Sequence, residues 1–211
     1  MSISYATIDE AGIEAGGSAK GVAVAVVQNN QDDSGLGRVK VSYPWHSAPT
    51  ESYWARIATP MAGGERGVYF IPEVGDEVLV AFERGDVRFP YVLGSLWNGV
   101  DPAPFNNGDG KNDQRAIVTR SGHKLTFDDG EEGKVQIELS DGKRVTIDSQ
   151  GIELNDEQGN SVVIQSAGGS IAIEAKTELK LKAPQVSIEG GTVKAKADAT
   201  LELKGTLVTI N

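Results

Sequence analysis

Few residues of this chain have the chemistry that catalysis requires. The sequence holds two histidines, His46 and His123, and no cysteine. A general base needs a nucleophile or an orienting carboxylate within reach, and no motif around either histidine supplies one. We interpret both as structural residues, with one alternative for His123, in which three copies meet on a symmetry axis and bind an ion. The lack of cysteine excludes a thiol nucleophile and a cysteine-rich zinc site.

The carboxylates are numerous but poorly spaced for chemistry. A glycosidase holds two of them at a set separation across a cleft, whereas residues 73–77 are typical of a turn that opens a strand. That turn contains Glu73, Asp76 and Glu77. A second acidic segment, with Asp128, Asp129, Glu131 and Glu132, does not match an EF-hand loop and is interpreted as a solvated loop. Residues 63–67 are glycine-rich but lack a phosphate-loop lysine. We predict no catalytic residue, no metal ligand and no cofactor.

The charge balance narrows the choice of partners. The chain has 211 residues and a formal net charge of −10, from 20 basic and 30 acidic residues. Binding to nucleic acid or to an anionic membrane surface needs a basic footprint, which this composition does not offer. Residues 1–5 lack the basic and apolar regions of a signal peptide, and no apolar run is long enough to span a membrane. The sequence therefore predicts synthesis in the cytoplasm without a signal peptide.

The elements that must position any functional residue fall into two compositional regimes. Every Phe, Trp and Tyr lies at or before Phe127. Between residues 21 and 99, five or six apolar segments alternate with glycine and proline, and no segment has a helical pattern. The segments are 22–26, 39–43, 53–58, 68–71, 77–82 and 91–96. This strand count favours a small closed barrel of the OB-fold type, with Trp54 in its core.

From Leu125 onward the sequence repeats a short unit in which two apolar residues stand at positions i and i+2. The pairs recur every 7 to 12 residues, with polar or glycine turns between them. They are Leu125/Phe127, Ile137/Leu139, Val145/Ile147, Ile152/Leu154, Val162/Ile164, Ile171/Ile173, Leu179/Leu181, Val186/Ile188, Val193/Ala195, Leu201/Leu203 and Val208/Ile210. This spacing places both members of a pair on one face of a strand and leaves a charged face opposite.

Strands of this kind need partners, because one chain supplies no second layer to cover the apolar face. Three identical chains, each giving one strand per level of a triangular prism, would cover that face and pair the sheet edges. The sequence thus predicts an all-β protein, with an N-terminal OB-fold barrel (21–99) and a C-terminal β-helix needle (115–211) of several intertwined chains, whose number the repeat alone does not set. Residues 1–20 form an N-terminal arm, and 100–114 form a linker.

Several separated motifs of the first half occur in a recognisable order. They are Gly35–Val41, Tyr43–His46, Ser52–Ala58, Pro60–Gly64, Pro72–Phe82 and Gly94–Gly99. Together they resemble the OB domain of contractile-tail spikes, namely phage baseplate assembly protein V and the VgrG spikes of type VI secretion. Thr119–Asp129 is similar to the family's transition into its needle. The resemblance covers residues 20–211 and implies a homotrimer whose OB domains form a collar under a baseplate hub. Its C-terminal halves are expected to wind into a triple-stranded, intertwined and trimeric β-helix needle (115–211) that pierces a target membrane.

This sequence differs from other members of the family in features that bear on its expected partners. About 20 residues precede the OB domain, so the hub is expected to be a separate protein, and Trp45 and Trp97 are its candidate docking residues. Residues 99–114 are too short for the lysozyme domain of some phage spikes, and no histidine follows His123 to build a metal-bound apex. A PAAR-type tip protein is expected at the C-terminal end. Its candidate docking residues are Leu207, Val208, Ile210 and Asn211.

Two functions of other classes stay open beside the spike. A cell-wall hydrolase of the tail-lysozyme type would bind glycan through the β-rich half, and an OB-fold binding module would hold a carbohydrate or an effector. The first needs a carboxylate pair across a cleft, which the sequence does not show. We therefore predict a non-enzymatic spike of a phage tail or a tail-derived injection particle, meeting a membrane only by mechanical piercing and carrying effectors as a further candidate cargo.

Overall fold

The computed structural model describes residues 21–45 and 51–209. The chain divides into two compact units, Met1–Asn106 and Asn107–Asn211. The strands of the first are β1 (Val22–Asn29), β2 (Lys40–Ser42), β3 (Arg56–Ile57), β4 (Ala62–Gly63), β5 (Arg66–Gly67), β6 (Glu77–Phe82) and β7 (Pro90–Ser95). Those of the second are β8 (Gln114–Val118), β9 (Lys124–Asp128), β10 (Lys134–Glu138), β11 (Arg144–Asp148), β12 (Gly151–Asn155), β13 (Ser161–Gln165) and β14 (Ser170–Glu174). A 3-10 turn, Glu83–Gly85, joins β6 to β7.

The first unit is a curled five-stranded sheet in the order β2-β1-β6-β7-β3. Its neighbours are antiparallel except for β3 and β7, which run parallel. Two backbone hydrogen bonds between Val39 and Ala55, of 3.1 and 2.7 Å, join the segments that lead into the edge strands β2 and β3. This contact draws the two edges together and gives the sheet the OB-like form that the sequence predicts.

The core of this unit follows from alternation along its strands. In β6, the side chains of Val78, Val80 and Phe82 are buried and the residues between them are half-buried. The other buried apolar residues are Ala25, Val27, Val39, Val41, Ala55 and Val92. Most of them are valines, which suit a pleated surface and the narrow interior of a small curled sheet.

One strand expected in this unit is absent from the structure. Residues 68–71 form no strand, and β4 and β5 form a short hairpin just before them. The side chains of Tyr69 and Phe70 are 81% and 63% exposed. An apolar run forms a strand only where a sheet edge is free to pair with it, and here both edges of the five-stranded sheet are already joined.

The expected core position of Trp54 is also wrong. Its indole is half-buried, with Arg38 5.6 Å and Lys40 5.3 Å from the ring centroid. The next residue, Ala55, is fully buried. Because successive side chains of an extended segment point to opposite faces, the inward position of Ala55 places Trp54 on the outer side.

The second unit contains a seven-stranded antiparallel meander in chain order from β8 to β14. Register is continuous from strand to strand: Leu125 of β9 pairs with Ile117 of β8 and with Ile137 of β10, which pairs in turn with Val145 of β11. Residues that pair directly in an antiparallel sheet point to the same face. The apolar i, i+2 residues therefore share one face of the meander, as the sequence predicts.

The pairing partners differ from the expectation in one respect. The prediction gave each of three chains one strand per level of a prism and did not describe pairing within one chain, where β8–β14 pair with one another. Within the described part of the chain, residues 175–209 belong to no strand, although the apolar pairs continue there at steps of 7 or 8 residues. A strand requires a hydrogen-bonded neighbour, and one chain offers none beyond β14.

Candidate assembly surfaces

The apolar face of the meander consists of two straight columns of side chains. One column is Ile117, Leu125, Ile137, Val145, Leu154, Val162 and Ile173. The other is Phe127, Val135, Ile147, Ile152, Ile164 and Ile171, with Arg115 at its β8 end. Each column crosses the strands nearly at right angles, because direct cross-strand neighbours stack along the sheet. The result is a continuous apolar stripe.

This stripe is uncovered in a single chain. Ile137, Ile147 and Ile171 are 51%, 49% and 68% exposed, and every buried apolar residue of the described chain lies in the first unit. A sheet must bury its apolar face against another layer, and contiguous exposed apolar surface of this extent marks an interaction site. The second unit therefore needs a partner to cover its apolar face.

The opposite face of the meander is polar and carries cross-strand ion pairs. Lys124 of β9 lies 3.8 Å from Glu138 of β10. Arg144 of β11 lies 3.3 Å from Glu153 of β12 and also pairs with Glu157. Exposed pairs of this kind add little to stability. The charged side chains keep this face in contact with water, so the sheet has one hydrated face and one apolar face that a partner can cover.

Short polar side chains fix the hairpin turns between these strands. Asp141 accepts hydrogen bonds from the side chain and backbone of Lys143, which lower the pKa of its carboxyl group. At the next turn but one, hydrogen bonds from the side chain and backbone of Asn160 lower the pKa of Asp156. Carboxylates that bond to nearby backbone N–H groups favour tight turns. The turns therefore hold each strand in the register that builds the apolar columns.

His123 has a structural position. Its ring nitrogen Nδ1 accepts a hydrogen bond from the backbone N–H of Ser140 (3.1 Å), and the backbone N–H of His123 donates to Oγ1 of Thr119 (3.1 Å). It thus ties the β8–β9 turn to the β10–β11 turn and uses the ring nitrogen Nδ1 in doing so. The other histidine, His46, lies outside the described residues.

The acidic segments form the turn (73–77) and the loop after β9 that the sequence predicts. The N–H of Glu73 donates to Oδ2 of Asp76 (2.9 Å), and the N–H of Asp76 donates back to the Glu73 carbonyl (3.1 Å). Oδ1 of Asp128 accepts the Gly130 N–H (3.0 Å), and Asp129 pairs with Arg115. Within residues 21–45 and 51–209, no three His, Asp or Glu side chains gather as a metal site. No helix of that part is long and apolar enough to cross a membrane.

The two candidate hub-docking tryptophans lie at opposite ends of the five-stranded sheet. Trp45 stacks on Tyr43 at 5.2 Å, and Tyr43 meets Phe82, the last residue of β6, edge-on at 5.7 Å. The residue before Trp97 donates its N–H to the carbonyl of Glu77, the first residue of β6 (2.8 Å). A strand of this length separates its ends by roughly 17 Å. The structure therefore does not bring the two indoles together.

The candidate tip-docking residues are only partly described. Leu207 and Val208 are 84% and 50% exposed and belong to no strand. Ile210 and Asn211 lie outside the described residues. That these four residues form one docking surface stays a prediction.

Sequence reasoning missed two members of the apolar columns, Ile117 and Val135. Val135 precedes Ile137 of the repeat by two positions, whereas Ile117 has Arg115 and Thr119 at that spacing and meets the repeat only by pairing with Leu125. The alternation that identified the other pairs therefore also contains Val135, and it does not contain Ile117. Only the register shows that Val135 and Ile137, rather than Ile137 and Leu139, are the pair within β10.

Each of the two units matches a known protein family. Residues 23–97 match the type VI secretion system and phage-baseplate injector OB domain. Residues 114–194 match the phage baseplate V C-terminal trimerisation domain. The first match covers the curled sheet, and the second covers the meander and the first part of the segment that follows it.

Curated relatives give the same assignment. The chain is 35% identical over 114 residues to type VI secretion system spike protein VgrG3 of Vibrio cholerae, covering 49% of this chain and 11% of that protein. It is 33% identical over 111 residues to the spike protein VgrG4b of Pseudomonas aeruginosa, covering 51% of this chain and 13% of that protein. The spike protein VgrG1a of the same organism matches over 73 residues at 36% identity, covering 33% of this chain and 11% of that protein. The aligned segment thus spans little more than a tenth of each relative's length.

Proposed function

The chain belongs to the phage baseplate V and VgrG-like spike family of contractile injection systems, and from this premise we propose that it is the structural central spike of such a machine. As a homotrimer under a baseplate hub, it is pushed through the envelope of a target cell. The observation that carries this proposal is the apolar face of the β8–β14 sheet, which one chain leaves open. The matched trimerisation domain supports three copies as its cover.

The proposed mechanism is mechanical. Three meanders that turn their apolar columns toward a common axis form a prism with a dry interior and a polar outer surface. A prism of hydrogen-bonded strands resists bending, because each strand is held along its whole length by its neighbours. The two matched regions are an OB domain and a trimerisation domain, and neither is a catalytic domain. Force from the machine, rather than bond-breaking chemistry, performs the work.

Solution mass tests the trimer with a matched pair of variants. We expect light scattering to give about three times the 22.3 kDa chain mass for the wild type. Ile164→Lys places a charge in the apolar column between Ile152 and Ile171, and we expect it to reduce the mass to that of one chain. Val163→Lys, on the polar face opposite Glu153, is the control and stays trimeric. A wild-type monomer, or a trimeric Ile164→Lys variant, would refute the proposal.

The hub is proposed to dock at the end of the OB unit where Trp45 lies. Strand β1 begins at this end with Val22, which pairs with Ala81, and the side chains of Val22 and Phe89 are 53% and 52% exposed. Partly exposed Trp is a residue type that often dominates binding energy at interfaces. Trp45→Ala should weaken co-purification with the hub, and Trp97→Ala, at the opposite end, should leave it unchanged. The reverse pattern would assign docking to the Trp97 end.

A PAAR-type tip protein is proposed to dock on the C-terminal residues. Leu207 and Val208 supply exposed apolar surface there, and three copies would present a triangular apolar end. Deleting residues 206–211 should abolish tip binding without changing the trimer mass. Replacing only Thr206 and Thr209 by Ser keeps the apolar residues and should preserve binding. Unchanged tip binding after the deletion would exclude this docking site.

A further inference from the structure

The OB unit carries an open groove that the proposed function does not use. The groove has a volume of about 960 Å³ and runs between the β4–β5 hairpin with the segment after it and the outer side of the curled sheet. Leu36, Trp54, Ile57, Tyr69 and Phe70 supply most of its apolar lining. Its size falls in the range of sites that hold a ligand or a short peptide.

The apolar side chains around the groove are unusually exposed. Leu36, Met61, Tyr69 and Phe70 are 68%, 51%, 81% and 63% exposed. Single exposed apolar residues are common on protein surfaces, but a cluster of four large ones around a concavity marks a binding surface. An occupant of this groove must therefore bring apolar side chains.

The charges of the groove are mostly positive. Arg38 is neutralised by Asp32, with 2.7 Å between Nε and Oδ2. Arg56 stacks on Tyr91 at 5.8 Å. Among the described residues, no carboxylate forms an ion pair with Arg56 or Arg66, and Glu65 is the one acidic residue of the lining. The occupant should therefore carry acidic as well as apolar side chains.

We propose that residues 8–14 of the same chain occupy this groove. Their sequence alternates the two required chemistries: Ile8 and Ile13 are apolar, and Asp9, Glu10 and Glu14 are acidic. The isoleucines would pack against the exposed aromatic lining, and the carboxylates would pair with the two unneutralised arginines. No basic residue lies within residues 1–19, so the arm brings only complementary charge.

The arm is long enough to reach the groove from its attachment point. It joins β1 at Gly21, and the groove lies beside Leu36–Arg38, which follow the far end of β1. β1 has eight residues, a span of roughly 26 Å. Residues 8–14 precede Gly21 by 7 to 13 positions, a reach of roughly 23–45 Å when extended. The acidic segment can therefore bridge this distance within one chain.

Photo-crosslinking in the full-length protein tests the proposal directly. A benzophenone amino acid replaces Phe70, inside the groove, or Trp97, an exposed aromatic that does not line it. Trypsin releases residues 1–20 as a single peptide, because Lys20 is the first basic residue. We expect this peptide to be joined to the Phe70 position in a product with the mass of one chain, and the Trp97 position to give at most a tenth of that yield.

A charge swap tests whether the arginines select the arm. Arg56→Glu with Arg66→Glu should reduce the crosslink yield at Phe70 about tenfold, the effect of losing roughly 1.4 kcal/mol. Adding Asp9→Lys, Glu10→Lys and Glu14→Lys should restore it, and in this variant the joined peptide is a shorter tryptic fragment of residues 1–20, because trypsin also cleaves after the new lysines. Reversing Lys194 and Lys196 to Glu changes net charge equally but lies outside the groove, and should leave the yield unchanged.

Three results would overturn the proposal. They are a crosslink from Phe70 to a segment other than residues 1–20, a product with the mass of two chains, and a yield that is insensitive to the arginine reversals. The first would assign the groove to another partner, and the second would assign it to the arm of a neighbouring chain. Circular dichroism checks that each variant retains the wild-type β-sheet content.

Discussion

Gly151 is the residue at which the meander tolerates least change. Its φ is +149°, and a Cβ placed on it would stand 1.8 Å from the carbonyl oxygen of Ile164 on the neighbouring strand. No side chain fits at that distance, so any substitution must push β12 and β13 apart. The register of both apolar columns at this point therefore depends on one glycine.

We expect Gly151→Ala to destabilise the trimer strongly. The displaced β12–β13 contact and the strained backbone should cost roughly 1–3 kcal/mol per chain, visible as a lower thermal midpoint. Gly169→Ala is the matched control, because Gly169 also has a positive φ (+58°) but has no atom within 4 Å of the added Cβ. Equal midpoints for the two variants would show that the close approach at Gly151 has no energetic consequence.

The ion pair of Asp32 with Arg38 makes the stability of the OB unit depend on pH in the acid range. Its carboxylate accepts hydrogen bonds from Nε and Nη2 of Arg38 (2.7 and 2.8 Å) and from the Ser34 N–H (3.1 Å). The Arg38 side chain first, and the Ser34 backbone in addition, hold the pKa of Asp32 well below its usual value of 3.8, against the opposing effect of burial. A depressed folded-state pKa adds stability above pH 4, and this stability is lost as pH falls further.

Asp32→Asn should remove that pH dependence. We expect the variant to be less stable than the wild type at pH 7, and the difference to shrink as pH falls from 4 toward 2. Tryptophan fluorescence reports on the right unit, because Trp45, Trp54 and Trp97 all lie in Met1–Asn106. Asp33→Asn, at an exposed neighbouring position, is the control. A constant difference between pH 7 and pH 2 would contradict the role assigned to the Asp32–Arg38 pair.

At the residue scale, sequence reasoning identified turn carboxylates but not long-range contacts. The turn at residues 73–77 rests on bonds between near neighbours in the chain, so its pattern is legible in the sequence. The His123–Ser140 bond and the outward side of Trp54 depend on the register of strands far apart in sequence. Such contacts follow only from the assembled sheets.

At the element scale, periodicity predicted the strands of the meander and failed at residues 68–71. The i, i+2 pairs of β9, β11, β12, β13 and β14 are where the sequence placed them. Alternation determines which face a strand buries, but it carries no information about which edge is free. The segment 68–71 has the composition of a strand and no available edge, and it lines a groove instead.

The two parts of the second unit should differ in how they depend on trimer formation. Strands β9–β13 have hydrogen-bonded neighbours on both sides within one chain, whereas residues 175–209 have no strand partner in the chain. We expect backbone amides of 175–209 to be protected from hydrogen exchange only when other chains supply partners. The wild-type trimer should protect them, and the Ile164→Lys variant should leave them unprotected.

Hydrogen exchange followed by mass spectrometry checks this expectation region by region. β6 of the OB unit is the internal reference, because its pairing with β1 and β7 should be unaffected by a substitution in β13. The Val163→Lys variant should match the wild type throughout. Fast exchange of residues 175–209 in the wild-type trimer would mean that neighbouring chains do not pair with this segment.

At the scale of the whole molecule, the two units differ in whether one chain can bury their apolar side chains. The first unit has a buried valine-rich core, and the second has none among its described residues. A domain without its own core is stable only through other copies, so folding of the second unit and assembly are one event. The sequence pattern predicted this need for partners, because two apolar residues per strand, with no aromatic residue after Phe127, supply no second layer.

Heating in SDS should reveal how the chains are held together. If residues 175–211 of three chains wind around one another, they must unwind together, and the barrier to unfolding is high. We expect the wild type to keep a trimer band in SDS at moderate temperature and a version that ends at Glu174 to lose it. The shortened version should still form trimers without detergent, because β8–β14 and their apolar columns are complete. Deleting residues 1–20 serves as the control and should leave SDS resistance unchanged. An SDS-resistant trimer of the shortened version would place the kinetic barrier in the meander and leave the C-terminal segment without a role in holding the spike together.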